Sequence, residues 1–382
     1  MGRARGARVW LRIGVSPAKL WGSLVPLLAC CALAASAVGA RAQDLEARAA
    51  AARDADNIPA ALDLYRQVVQ QKPRLLDGWW FLGLLNYESG RFADGRQAFT
   101  EFTKLNAESP AGWAFLGLCE YETGGYDAAL GHLERALAPG ARLDPEVAQV
   151  ARFHRALLLT RAGAFDRARD ELKPFAERGI HDPVLTAGLG LNALDMPMLP
   201  QRVPPAERDL VELAGRAAYQ CIKGDDAQAE TAFHALLSKY PNAPGVHYMY
   251  ATYLLTVEPA AMDAELRREL EVNPTNARAR AALALRLTEE GSAAGALPFA
   301  RQAAGDAPAL GLAQYACGLA LGRTGALTEA IAHLETAVRI EPQNLAFHTA
   351  LAAAYSEAGR YEDARSERRA SIKLAKESGG PG

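Results

Sequence analysis

The chain has 382 residues, half of them apolar but only 7% aromatic, and a formal net charge of −2. Alanine fills much of the difference; its helix preference and small side chain point to an all-helical protein with closely approaching helices. Residues 1–42 carry Arg3, Arg5, Arg8, Arg12, Lys19 and Arg41 and no acid, so the rest of the chain holds 36 basic against 44 acidic residues, a balance of −8 that argues against a nucleic-acid binder.

The first element is the N-terminal segment. Basic residues through Lys19 precede an apolar run from Leu20 to Val38, then Ala40-Arg41-Ala42 and the polar Gln43-Asp44. That order of charge, apolar core and small-x-small site predicts a signal peptide over 1–42, cleaved after Ala42, and an exported protein, periplasmic or secreted. Two other readings stay open. Residues 20–38 are long enough to span a bilayer as an uncleaved membrane anchor. Leu27-Leu28-Ala29-Cys30 resembles a bacterial lipobox, which would lipidate Cys30, although the apolar stretch runs on past it. Beyond this segment Cys119, Cys221 and Cys317 are too few and too scattered for a disulfide framework or a metal site, and read as small packing residues.

From residue 43 onward the chain repeats. Trp79-Trp80-Phe81-Leu82-Gly83-Leu84 returns as Trp113-Ala114-Phe115-Leu116-Gly117-Leu118, a shift of 34, and Tyr87, Gly90 and Phe92 return as Tyr121, Gly124 and Tyr126. Gly291, Gly325 and Gly359 share that spacing, as do Pro274, Pro308 and Pro342. Each unit predicts a first helix with large apolar residues, a Gly that ends it, and a second helix with apolar positions at helical spacing, such as Leu327, Ala330, Leu334 and Ala337. A Pro then closes the unit. Such a hairpin cannot bury both of its faces alone, so neighbours must stack.

A 34-residue helical hairpin with Trp, Leu-Gly, Ala, aromatic and Pro in this order resembles the tetratricopeptide repeat. Ala61, Ala129, Ala168, Ala229, Ala330 and Ala364 fill the small slot of the second helix; Tyr65, Phe99 and Phe233 fill the aromatic one. The resemblance implies an all-α tetratricopeptide-repeat solenoid, a right-handed superhelix of helical hairpins. The units are predicted near 43–75, 76–109, 110–143, 149–181, 210–243, 244–276, 277–310, 311–344 and 345–376. The fourth carries about five extra residues around Pro139-Gly140 and Asp144-Pro145, and in the sixth Glu258-Pro259 replaces the turn Gly. The last unit, with Arg365, Arg368 and Arg369, reads as a polar cap, and 377–382 as a frayed tail.

Residues 182–209 break the pattern. Val184–Leu194 predicts one helix; Met196-Pro197-Met198-Leu199-Pro200 and Val203-Pro204-Pro205 then exclude regular structure. The stretch reads either as a linker between sub-arrays 43–181 and 210–376, or as a docking loop. The second sub-array, around Tyr240–Tyr248 and Glu265–Leu270, is similar to many bacterial tetratricopeptide proteins of undefined role.

In this family the first helices line the concave face, where ligand segments lie. The resemblance therefore implies a partner-binding groove from Trp80, Leu84, Tyr87 and Glu88, from Leu118, Tyr121 and Glu122, and from Tyr248, Tyr315 and Arg323. The competing reading is that the aromatic stripe is packing between first helices. The Lys and Asn that grip a peptide carboxylate in the family's chaperone clamps are replaced here by Trp80, Leu84, Ala114 and Leu118, so an apolar segment with basic flanks suits the groove better. There is no phosphate loop and no His-Glu-x-x-His, and the seven histidines are scattered. The expectation is a non-enzymatic scaffold or adaptor that binds a protein or peptide partner, with no cofactor and no metal. A membrane-displayed assembly factor is the alternative; a carbohydrate or small-ligand module, hinted at only by Trp79-Trp80, is a third.

Overall fold

The computed structural model describes residues 37–377. Among them nineteen α-helices and one 3₁₀ turn follow in chain order, with no strand. The signal-peptide or anchor expectation for 1–36, lipidation of Cys30, and the tail from 378 lie outside the described residues. The chain divides into two compact units between Ala229 and Glu230.

The first unit holds α1 (Ala37–Asp54) with α2 (Ile58–Gln71), α3 (Leu76–Glu88) with α4 (Phe92–Leu105), α5 (Pro110–Glu122) with α6 (Tyr126–Ala136), and α7 (Pro145–Arg161) with α8 (Phe165–Glu177). Then come α9 (Pro183–Ala193), a 3₁₀ turn (Pro200–Arg202) and α10 (Arg208–Lys223). The expected cleavage point after Ala42 falls inside α1. Helix α11 (Asp226–Lys239) carries the division. The second unit continues with α12 (Val246–Val257), α13 (Pro259–Val272), α14 (Ala277–Glu289), α15 (Ala293–Asp306), α16 (Gly311–Arg323), α17 (Leu327–Ile340), α18 (Leu345–Glu357) and α19 (Tyr361–Glu377). Within each unit the hairpins stack. First helices also meet in succession, α3 on α5 on α7 and α14 on α16 on α18.

The turns follow from their glycines. Gly90 sits at φ 72°, where side chains are disfavoured. There the Arg91 amide donates to the Asn86 carbonyl (2.8 Å) and the Gly90 amide to that of Tyr87 (3.0 Å), which satisfies two carbonyls at the end of α3. The same pair of bonds closes α5, α7, α14, α16 and α18. Glu258 instead takes φ −148°, and α13 begins on Pro259 at once, so the sixth unit turns without a left-handed residue. Helix starts are capped locally: Ser109 Oγ accepts the Gly112 amide (3.1 Å) ahead of Pro110 at the first helical position.

Packing explains the period. Phe99 of α4 stacks on Phe115 of α5 at 5.3 Å, and Trp80 of α3 meets Phe99 edge-on at 5.7 Å and Phe115 at 5.6 Å. A Cβ on Gly83 would come 2.8 Å from the Phe99 ring, so the small residue of the first helix makes room for the large one of the second. Each buried ring contributes about 1.5–3 kcal/mol, and enclosing Trp80 and Phe99 requires Phe115 of the neighbouring hairpin.

The break differs from expectation. Helix α9 forms where a helix is predicted, but the proline-rich stretch after it holds the 3₁₀ turn and buries Leu199 and Val203. It lies inside the first unit, because the division falls later, at 229/230. Helix α7 starts at Pro145, ahead of the predicted 149, since Asp144 caps it through the Glu146 and Val147 amides.

Candidate partner-binding site

Seven of the ten candidate residues lie in the first unit: Trp80, Leu84, Tyr87 and Glu88 on α3, Leu118, Tyr121 and Glu122 on α5. Tyr248 on α12, with Tyr315 and Arg323 on α16, belongs to the second.

Six of the ten are buried, as the packing reading of the aromatic stripe expects: Trp80, Leu84, Tyr87, Leu118, Tyr121 and Tyr248 lie in the core. The reason is the stacking itself. Trp80 is enclosed by Phe99, Phe102 and Phe115. Tyr87 lies edge-on to Phe92 (5.5 Å) and Phe115 (5.4 Å). Tyr121 lies edge-on to His154 of the next first helix (4.7 Å). Tyr248 packs in a cluster with Leu254, Met262 and Leu283.

The other four are accessible in different degrees. Glu122 and Arg323 are exposed; Tyr315 is half-buried and stacks on Phe347 at 4.8 Å. Glu88 is half-buried, its Oε1 is without a hydrogen-bond partner among the described residues, and burial, with Asp56 second, raises its carboxyl to about 7.

Two features escape sequence reading. The first is a recurrent donor. Trp79 Nε1 donates to the Pro73 carbonyl (2.8 Å), Trp113 Nε1 to Ala107 (2.7 Å), His247 Nε2 to Pro241 (2.7 Å), Gln314 Nε2 to Pro308 (3.1 Å) and His348 Nε2 to Pro342 (3.0 Å). The Arg280 guanidinium donates likewise to Pro274. In every case the acceptor is six residues earlier, in the loop that enters the hairpin, so the slot ties each loop to the helix that follows. The residue types differ, which hides the slot from a search for identities. It also gives the indole N–H groups of Trp79 and Trp113 structural partners.

The second feature is a buried carboxylate. Glu269 of α13, 0% exposed, accepts from the amides of Gly245 (2.9 Å) and Tyr248 (3.3 Å) and from Asn276 Nδ2 (2.9 Å). It caps α12, whose own N-cap, Gly245, has no side chain to do so. Glu265 beside it accepts from Arg268 (2.8 Å) and faces His247 Nδ1 (2.6 Å).

Among the described residues no three His, Cys, Asp or Glu side chains gather as a metal site would require. Burial pushes the Cys119 thiol up, and those of Cys221 and Cys317 up to about 11. Burial also draws His154 down to about 4, while its Nδ1 donates to the Val150 carbonyl (2.9 Å). One open cleft of about 680 Å³ lies between the start of α9, the 3₁₀ turn and α10, lined among others by His181, Pro200, Val203, Arg208 and Tyr219.

Fold and site together define an all-α repeat scaffold of the kind that binds other proteins. Family models of the tetratricopeptide repeat match residues 46–101, 82–147 and 323–367, and the chain is a tetratricopeptide-repeat protein. Among solved structures, MamA from Desulfovibrio magneticus RS-1 (residues 41 to end) is 18% identical over 44% of this chain and 96% of its own, with a TM-score of 0.37. The APC/C hetero-tetramer Cut9–Hcn1 is 15% identical over 88% of this chain and 67% of that one, with a TM-score of 0.39. At these scores neither likeness bears on what the chain does. No curated protein matches it in sequence.

Proposed function

We propose that the chain is a non-enzymatic interaction scaffold, exported to the cell envelope, that holds a protein partner against its stacked hairpins. The tetratricopeptide repeats at 46–147 and 323–367 carry this reading. The inner side chains of the described hairpins are committed to packing and structural hydrogen bonds. Contacts then fall to accessible positions such as Glu122, Tyr315 and Arg323. Export rests on the order of basic, apolar and small residues in 1–42.

The test is retention of partners from envelope extract by the chain beginning at Gln43, read by mass spectrometry, with Glu122→Lys and Arg323→Glu as charge-reversed controls. Retention lost in either control supports the reading; no retained protein overturns it. Intact mass of the native protein decides the location. A chain starting at Gln43 supports export, whereas a retained segment 20–38 or a lipid on Cys30 makes it a membrane-displayed scaffold.

A further inference from the structure

The stretch after α9 behaves as a ligand of its own unit. Leu199 is 1% exposed and belongs to the same apolar cluster as Tyr121, Phe153, Leu189 and Tyr219. The Gln201 amide Nε2 lies 3.3 Å from the Tyr121 hydroxyl, across 80 residues of sequence. Val203 is buried as well; Pro197, Arg202 and Pro204 are exposed, and Gln201 is exposed apart from the contact of its amide with Tyr121. The backbone is extended at Leu199 (φ −92°, ψ 149°) and at Val203 (φ −61°, ψ 122°), either side of the 3₁₀ turn. Its own backbone bonds are local: Met198 to Met196, Arg202 to Leu199, Val203 to Pro200. Side chains therefore seat it: an aliphatic anchor in a pocket, one amide on a tyrosine, and Arg208 Nε donating to the Val203 carbonyl (3.4 Å), the kind of contact by which scaffolds hold short segments.

We propose that residues 197–203 are an internal occupant of a segment-binding site over Tyr121. The site takes a short segment of the pattern aliphatic–Pro–hydrogen-bonding side chain that passes from extended backbone into a 3₁₀ turn, here Leu199-Pro200-Gln201, and an external segment of that chemistry must displace the loop to bind. The tether gives the loop an effective concentration in the millimolar range, so a competitor meets a site that is mostly filled. This rests on the scaffold reading above, whose partner class it names.

The probe is a fluorescein-labelled synthetic peptide with the sequence of residues 195–204, titrated by anisotropy into the full chain and into a chain whose residues 197–203 are replaced by Gly and Ser at equal length. Circular dichroism confirms that each is folded. The expected result is binding at least about tenfold tighter to the replaced chain, loosened again when Tyr121→Phe is added. A folded replaced chain that binds no better than the unaltered one overturns the proposal. Should that chain not fold, Leu199→Ala with Gln201→Ala gives the same readout, with tighter binding of the peptide in support and unchanged binding against. Partner retention separates the two readings. Retention without a peptide effect sinks the internal occupant alone, and a peptide effect without retention sinks the scaffold alone.

Discussion

Gly190 of α9 and Gly215 of α10 each lie against the backbone of the other's helix. A Cβ added to Gly190 would stand 2.0 Å from the Val211 carbonyl oxygen, and one added to Gly215 would stand 2.0 Å from that of Thr186. The odd helix α9, outside the repeat, is thus joined to α10 by a crossing only hydrogen atoms can fill, and the loop that carries Leu199 spans the two.

Gly190→Ala or Gly215→Ala should therefore destabilise the chain by about 3 kcal/mol through forced separation of α9 and α10. Gly131→Ala is the control: this glycine lies inside α6, nothing is within 4 Å of its added Cβ, and the change should gain about 0.5–1 kcal/mol. Thermal unfolding followed by circular dichroism compares the three. Equal behaviour would mean the crossing is looser than described.

The recurrent donor slot makes a prediction about chemistry rather than identity. Gln314→Leu strands the Pro308 carbonyl and the Nδ1 of His333, which faces Gln314 Oε1 at 2.7 Å, and should cost about 1–3 kcal/mol. Gln314→His should restore much of this, because His247 and His348 already fill the equivalent position. Chemical denaturation midpoints decide; a histidine no better than leucine would refute the shared slot.

Glu269 caps α12 from a distance. Glu269→Leu leaves the amides of Gly245 and Tyr248 and the side-chain amide of Asn276 without their acceptor, and should cost at least about 3 kcal/mol, with Glu269→Gln less severe. Amide hydrogen exchange should quicken at Gly245 and Tyr248. Exchange that stays slow there would show that α12 has another cap.

The buried His154 and the half-buried Glu88 give opposite pH trends. His154 has its folded value drawn from 6.5 down to about 4, so the unfolded chain binds its proton better. Its neutral, packed form contributes fully above pH 6.5, and stability falls as pH drops from 6.5 toward 4, by about 3 kcal/mol. Glu88 is raised from 4.5 to about 7, so its contribution is present below pH 4.5 and is lost as pH rises through 7. The two slopes offset between pH 4.5 and 6.5. His154→Leu should leave stability falling with rising pH across that window, and Glu88→Gln should leave it rising and gain on the parent above pH 7. Denaturation midpoints from pH 4.5 to 7.5 check both signs.

The sequence by itself determined the repeat. Gly90, Gly124, Gly325 and Gly359 mark left-handed turns, the 34-residue shift sets hairpin length, and Ala61 or Ala330 must face a partner because the pattern leaves only small residues there. These are local requirements of backbone and volume, written residue by residue. Which face meets a partner is not local. Helix α3 is apolar on every side from Trp79 to Leu85, so nothing in its sequence separates core from groove; the neighbouring Phe99 and Phe115 drew Trp80 and Tyr87 inward. Tertiary structure alone seated Leu199 and Gln201 near Tyr121 and closed α9 on α10, because such contacts join residues far apart in the chain, where no short-range rule of spacing or propensity reaches.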